Sequence, residues 1–198
     1  MKQDQSTDRK LVSKVLEGNS DAFKTIIVNT QGLVIQIIYK MIKNQEDRDD
    51  LAQEVFLKAY NKLGSFRFNS KLSTWIGTIT YHTCLNFLEK KKILILNIVD
   101  EDGSESWDLI DNKVLGHSNS EVESYLFRKD KHQIIASEIE NLPPLYKTLI
   151  TLYHNQELSY KEIGEITSLP EGTLKNYLYR ARKQLKNNLL RKYKREDL

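Results

Sequence analysis

Apolar residues return every three to four positions through most of this chain, the period of a helix with one face turned inward. Leu51, Val55, Ala59 and Leu63 form such a stripe, widened by Ala52, Phe56 and Tyr60. The spacing predicts an amphipathic helix whose start carries Glu46, Asp47, Asp49 and Asp50, acids suited to the positive end of a helix dipole. Upstream, Asn19-Ser20-Asp21 reads as a cap before a helical run to Ile42, one long helix or two short ones divided at Gly32. From Leu63 to Lys92 the composition is rich in Thr and Ile, and Trp75, Ile79, Tyr81, Leu85 and Phe87 fall on odd positions, which leans toward strand. A helical stripe through Ile76, Ile79, Thr83 and Phe87 fits too, and the run is longer than most strands, so helix is the reading adopted.

The pattern stops after Ile93. A short apolar run to Val99, readable as a strand or as the trailing edge of the first core, gives way to acidic, Ser- and Asn-rich sequence. Helical spacing resumes near Glu123 and continues to Leu142, where Pro143-Pro144 ends it. Another helix runs through Tyr146, Leu149, Ile150 and Tyr153. Two more follow, around Tyr160 to Ile166 and from Thr173 to Leu190, separated by the breaker-rich turn Ser168-Leu169-Pro170-Glu171-Gly172. Ser159, with Glu162 three residues on, makes a capping box at the head of the first of these. The expected fold is all-α: a helical domain over 1–95, a flexible acidic linker over 96–122, and a second helical domain over 123–198.

At 198 residues, 39% hydrophobic and 29% charged, with three Pro and eight Gly, the composition is ordinary globular and excludes collagen-like, mucin-like and wholly disordered chains. The net charge of +3 names no partner, but its distribution does more. Between Asp100 and Glu123 eight acids face the single base Lys113, whereas Lys175 to Arg195 holds nine bases and no acid. A basic end is the footprint of a chain that meets phosphates, and also of a simple solvated helix face. The lone Cys84 forms no internal disulfide and the first residues do not open a secretory signal, so a reduced cytoplasmic setting is expected. Asn29, Gln31, Gln36 and Lys40 interrupt the stretch from Thr25 to Ile42, which reads as too polar to span a bilayer. His82, His117, His132 and His154 show no convincing metal-ligand spacing with each other or with Cys84, and neither a phosphate-binding glycine loop nor a nucleophile elbow occurs. We expect no cofactor, no metal and no catalytic residue.

Two helices joined by a tight turn, the second basic on one face, is the layout of a helix-turn-helix reader, although helical hairpins with a basic surface are also common as plain structure. In the second helix Lys175, Asn176 and Tyr179 share a face opposite Leu174, Leu178 and Ala181. Lys reaches guanine acceptors or phosphates and Asn pairs with adenine, while Lys183 and Lys186 lie where phosphate contact is expected.

These residues resemble a family. Leu142-Pro143-Pro144-Leu145-Tyr146, Leu158 to Gly164, Gly172 to Asn176 and Tyr179-Arg180-Ala181-Arg182-Lys183 are similar to the promoter-reading region 4 of sigma-70-type RNA polymerase sigma factors. Asp49 to Tyr60, Ser65-Phe66-Arg67 and Ser73-Thr74-Trp75 resemble region 2 of the same family, and the layout is that of its extracytoplasmic-function subgroup. The resemblance implies a transcription initiation factor that binds core RNA polymerase, reads minus-ten and minus-thirty-five elements and assists melting, with no chemistry of its own. It implies docking of Asp49, Asp50, Leu51, Gln53, Glu54 and Phe56 on the clamp helices of the largest polymerase subunit, Leu51 and Phe56 being as readable as core. Contact of region 4 with the flap of the second subunit is implied as well.

Phe66, Arg67, Ser70, Lys71, Thr74, Trp75, His82, Asn86 and Lys90 are the implied minus-ten set, which captures a flipped base and holds the melted nontemplate strand. Their interleaving of rings and cations is what single-strand binding asks for. Phe66 and Trp75 are also readable as core. The implied minus-thirty-five set is Thr173, Lys175, Asn176, Tyr179, Arg180 and Lys183, with Thr173 and Arg180 acting mainly on phosphates. An anti-sigma factor is an implied partner, and the acidic linker suits a positively charged polymerase channel. Three positions depart from the family's habit. Gly77-Thr78 stands where relatives often carry an aromatic-basic pair, and His82 where they often carry Asn. Glu89 also precedes the lysines where a base is frequent. The rival reading is a free-standing helix-turn-helix regulator, which would need tight duplex binding alone.

Overall fold

The computed structural model describes residues 2–96 and 131–193. These residues are helical, with no strand among them. In chain order the helices are α1 (Lys2–Leu16), α2 (Ser20–Met41), α3 (Gln45–Lys62), α4 (Leu72–Leu96), α5 (Lys131–Glu140), α6 (Pro144–Ile150), α7 (Tyr160–Thr167) and α8 (Glu171–Lys192). A 3-10 turn at Leu63–Ser65 follows α3, and a π-helical turn at Thr151–Asn155 continues α6.

Helix α1 has no counterpart among the sequence expectations; its buried Val12 and Val15 lie three apart in a mostly polar segment. Asn19 caps α2 by accepting hydrogen bonds from the backbone N–H of Asp21 and Ala22, both at 3.0 Å. The helix then runs unbroken through Gly32, which settles the choice between one helix and two. By length and composition α2 is apolar enough to cross a membrane, contrary to the reading from its polar interruptions. Its apolarity has a packing origin. Ile26, Leu33, Val34, Ile37, Ile38 and Met41 are buried in the bundle, and Val28, Ile35 and Tyr39 add a second stripe on the outer side.

The ambiguous segment is helical: α4 extends to Leu96, so the backbone of Ile93 to Leu96 continues the helix rather than forming a strand. Tertiary contacts decide this against local β propensity, because Leu72, Ile76, Thr80 and Cys84 are buried at helical spacing and the Thr80 hydroxyl donates to the Ile76 carbonyl at 2.8 Å. A remote cap sets where α4 begins, as the Leu72 N–H donates to the Asp8 carboxylate of α1 at 3.0 Å. The expected linker over 96–122 and the resumption near Glu123 lie almost wholly outside the described residues.

The second domain folds as expected around α7 and α8. Ser159 and Glu162 form the reciprocal capping box, and Ser168 closes α7 in the left-handed conformation at φ 59°. Ile163, Ile166, Leu174, Leu178 and Ala181 are fully buried. The two domains are not held by the linker alone. Helix α7 lies against α4 and α6 against α2, giving one continuous apolar core.

Candidate polymerase and nucleic-acid interfaces

Three surfaces carry the candidate residues. On α3, Asp49, Asp50, Gln53 and Glu54 are exposed on the side opposite the buried Leu51, Val55 and Ala59. Leu51 is only 2% exposed and Phe56 is half-buried against the core, so these two shape the helix face from behind. Leu57, 62% exposed, stands on the acidic face between Asp50 and Gln53 by helical spacing. It was absent from the expected set, and its position four residues after Gln53 was the available signal. Glu54 pairs with Lys58 at 2.6 Å and Asp47 with Lys91 of α4 at 3.1 Å, so the acidic face is partly countered at its edges.

The second surface is the loop before α4 and α4 itself. Phe66, 7% exposed, packs its ring 5.1 Å from Trp75 and 4.6 Å from Phe68, whose other neighbour is the Arg9 guanidinium at 4.6 Å. This cluster fixes the loop, and Phe68 holds φ at 59° within it. Arg67, Asn86 and Lys90 are exposed, and Ser70, Trp75 and His82 half-buried. A cleft of about 400 Å³ opens beside Lys71, lined also by Thr7, Asp8, Asn29, Thr30 and Ser73. Thr74 is 1% exposed, and its hydroxyl oxygen has no hydrogen-bond partner. Lys71, Thr78 and His82 each touch α7: Lys71 pairs with Glu162 at 2.9 Å, the Thr78 hydroxyl shares its one proton between the Thr74 carbonyl of its own helix at 3.0 Å and the Glu165 carbonyl at 3.1 Å, and His82 Nε2 meets Ser168 Oγ at 3.0 Å.

The third surface is the outer face of α8. Lys175, Asn176, Tyr179, Arg180 and Lys183 are exposed, Tyr179 at 66%, and Thr173 is half-buried at the helix start. Glu171 holds Lys175 at 2.6 Å and keeps its ammonium above the ordinary lysine range by that hydrogen bond and charge. The Lys175 ammonium also lies 5.6 Å from the Tyr160 ring of α7. Arg182 is turned back to Tyr153, 5.0 Å from the ring, and to His154. Burial and the Arg182 charge together hold His154 below the usual histidine range. The face therefore presents an exposed ring, an amide and cations, Lys175 among them held by Glu171, on a helix whose other side is locked into the core.

Two family models match this chain. Residues 26–93 match the family described as Sigma-70 region 2, and residues 132–185 match Sigma-70, region 4; together they span well over half of the chain. Over 181 residues the chain is 32% identical to the ECF RNA polymerase sigma factor SigW of Bacillus subtilis, covering 91% of this chain and 96% of that protein. This chain is an extracytoplasmic-function sigma factor. The ECF RNA polymerase sigma-E factor of Haemophilus influenzae is 31% identical over 191 residues, covering 94% of this chain and 97% of the relative. Among solved structures, CnrH in complex with the cytosolic domain of CnrY covers 94% of this chain at 17% identity with a TM-score of 0.62. The sigma factor RpoE in complex with the anti-sigma factor NepR from Bartonella quintana covers 86% at 19% identity with a TM-score of 0.61. Both likenesses are of fold. The sigma factor is a non-enzymatic promoter-specificity factor of RNA polymerase that works through regions 2 and 4.

Proposed function

We propose how this sigma factor divides promoter recognition among its helices. The exposed face of α3, with Asp49, Asp50, Gln53, Glu54 and the added Leu57, docks on the clamp helices of the largest polymerase subunit, while region 4 engages the flap of the second subunit. The loop around Phe66 and the exposed residues of α4 hold the melted nontemplate strand, Asn86 and Lys90 tracking its backbone and the cleft beside Lys71 lying next to the set. Binding a base already out of the stack offsets part of the cost of opening the duplex, a few kcal/mol per base. Helix α8 enters the major groove of the minus-thirty-five element. The acidic residues between Asp100 and Glu123 suit a basic polymerase channel. A cytoplasmic location, α2 serving as a core helix rather than a membrane span, and restraint by an anti-sigma partner complete the reading.

The observation that carries it is the division of α8, where Lys175, Asn176, Tyr179, Arg180 and Lys183 stand clear of the core while Leu174, Leu178 and Ala181 are fully buried. Side chains for groove and phosphate contact are thereby presented on a rigid helix. Run-off transcription with core polymerase tests it. Asn176→Ala is expected to lose about tenfold in promoter use and to relax preference at one minus-thirty-five base pair, since a good base contact discriminates by about 1–3 kcal/mol. Lys183→Ala is expected to weaken all promoters alike and to reduce the salt slope by about one. Unchanged preference in Asn176→Ala, or an unchanged salt slope in Lys183→Ala, contradicts the assignment.

A further inference from the structure

We propose that α1 is part of the minus-ten reader: Asp8 and Arg9 are positioning residues that hold the loop between Gly64 and Leu72 in the shape that receives the melted strand. The inference rests on the reading of that loop as a minus-ten surface, and it concerns a helix that precedes the residues matched to region 2, 26–93. Helix α1 runs along the whole loop. Leu16 lies against its near end, where a Cβ on Gly64 would sit 3.7 Å from Leu16 Cδ2. About two helical turns back along α1, the Arg9 guanidinium covers the Phe68 ring at 4.6 Å. One residue further, the Asp8 carboxylate accepts the Leu72 N–H at 3.0 Å. Val12 and Val15 are buried in the core between these contacts, so the loop is held from a fixed element.

Each contact removes a freedom that the loop would otherwise have. Leu72 opens α4, and its N–H is one of the donors that a helix start leaves without a partner inside the helix. Asp8 supplies that partner from another helix and sets a carboxylate at the positive end of α4, so α4 starts where α1 puts it. Phe68 holds φ at 59°, the left-handed region that a residue with a side chain rarely takes. Such strain persists only where the surroundings over-determine it, and it gathers at ligand clamps. Here the clamp is Phe66, its ring 4.6 Å from that of Phe68, together with Arg9. Arg67 adjoins this fixed point, and Ser70 and Lys71 lie between it and the second one at Leu72. The cleft beside Lys71 is walled on one side by Thr7, Asp8 and Leu11 of α1. A loop without these holds would present the same side chains over a spread of positions, and ordering them on binding would cost affinity.

Run-off transcription by the holoenzyme from a library randomised at the minus-ten positions tests the role of α1. Asp8→Ala and Arg9→Ala are each expected to lose about fivefold in minus-ten discrimination, the fold-change of one weakened base stack, while the minus-thirty-five preference stays that of wild type. Asp8→Asn is expected to keep wild-type discrimination, because an amide oxygen caps a helix start as well as a carboxylate does. Unchanged minus-ten discrimination in both alanine variants overturns the proposal, and so does an Asp8→Asn variant as impaired as Asp8→Ala. Arg9 is exposed, so Arg9→Ala keeps the fold and carries the test even where Asp8→Ala unfolds. The salt dependence of promoter binding separates positioning from direct contact. Arg9→Ala is expected to leave the slope unchanged, whereas a slope reduced by about 0.7 means that Arg9 touches a phosphate of the single strand and overturns its positioning role. Failure of the underlying reading shows separately: it requires Arg67→Ala, in the loop itself, to leave minus-ten discrimination untouched.

Discussion

Ser159 shows how one side chain sets a domain. Its hydroxyl accepts from the Glu162 N–H at 3.3 Å while the Glu162 carboxylate accepts from the Ser159 N–H at 2.9 Å, so the first turn of the short helix α7 leaves neither donor unsatisfied. Ser159→Ala is expected to cost about 1 kcal/mol of stability, read as a lower urea midpoint with an unchanged slope. Cys84 offers an independent probe of the first domain. Burial, with a smaller contribution from Glu54, pushes its thiol up to about 12, so the native chain is expected to resist a thiol reagent at pH 8 and to react at the rate of unfolding. Fast stoichiometric labelling of the folded chain would contradict the packing of α4. His154 has a folded-state pKa below its unfolded value of 6.5, because burial and Arg182 disfavour the imidazolium. The unfolded chain therefore takes up this proton first on acidification. Its stabilising contribution is present above pH 6.5 and is lost as pH falls below that value. Thermal melts of wild type and His154→Gln are expected to converge toward pH 5.5 from a wild-type advantage at pH 7.5.

At the scale of the helix, α3 and α8 share one design: a buried stripe fixes the element and leaves the opposite face exposed. Asp50→Lys together with Glu54→Lys is expected to abolish co-elution with core polymerase while leaving the melting temperature within about 2 °C, since exposed charges contribute little to stability. Retained co-elution would remove the acidic face from the interface. Both stripes were legible in the sequence because their apolar residues repeat with clean helical spacing. Helix α1 was not, since among the residues whose burial is described only Val12 and Val15 are buried, in a mostly polar run that gives a weak periodic signal. For α4 the Thr and Ile content leans toward strand in isolation, yet the helical stripe carried the reading, and tertiary burial of Ile76, Thr80 and Cys84 holds the helix. Leu57 escaped notice because its exposure is revealed only by packing.

Over the whole molecule, the sequence divides into two recognisable regions, whereas the structure joins them through α4 with α7 and α2 with α6. That joining was not readable beforehand, because it depends on a glycine, a threonine and a histidine whose partners lie more than eighty residues away. A further ion pair crosses the same boundary, Glu140 meeting Lys40 of α2, and within the second domain Glu140 also pairs with the buried Lys147 of α6. Burial holds the Lys147 ammonium below its ordinary range, with Lys40 and Lys43 adding to the effect and Glu140 opposing it. Charge reversal at Glu140 therefore leaves a buried cation uncompensated, and Glu140→Lys is expected to loosen the contact of α6 with α2, read as faster amide exchange in α6. The central claim is that this chain gives RNA polymerase its promoter specificity through two separate DNA-reading regions. Its most direct test is reconstitution of the purified chain with bacterial core RNA polymerase, followed by run-off transcription from a library randomised at the minus-ten and minus-thirty-five positions. The account predicts co-elution and transcripts enriched for one sequence at each element, the minus-thirty-five preference relaxing at one base pair with Asn176→Ala. No association with polymerase, together with tight binding of the chain alone to duplex DNA, would contradict it.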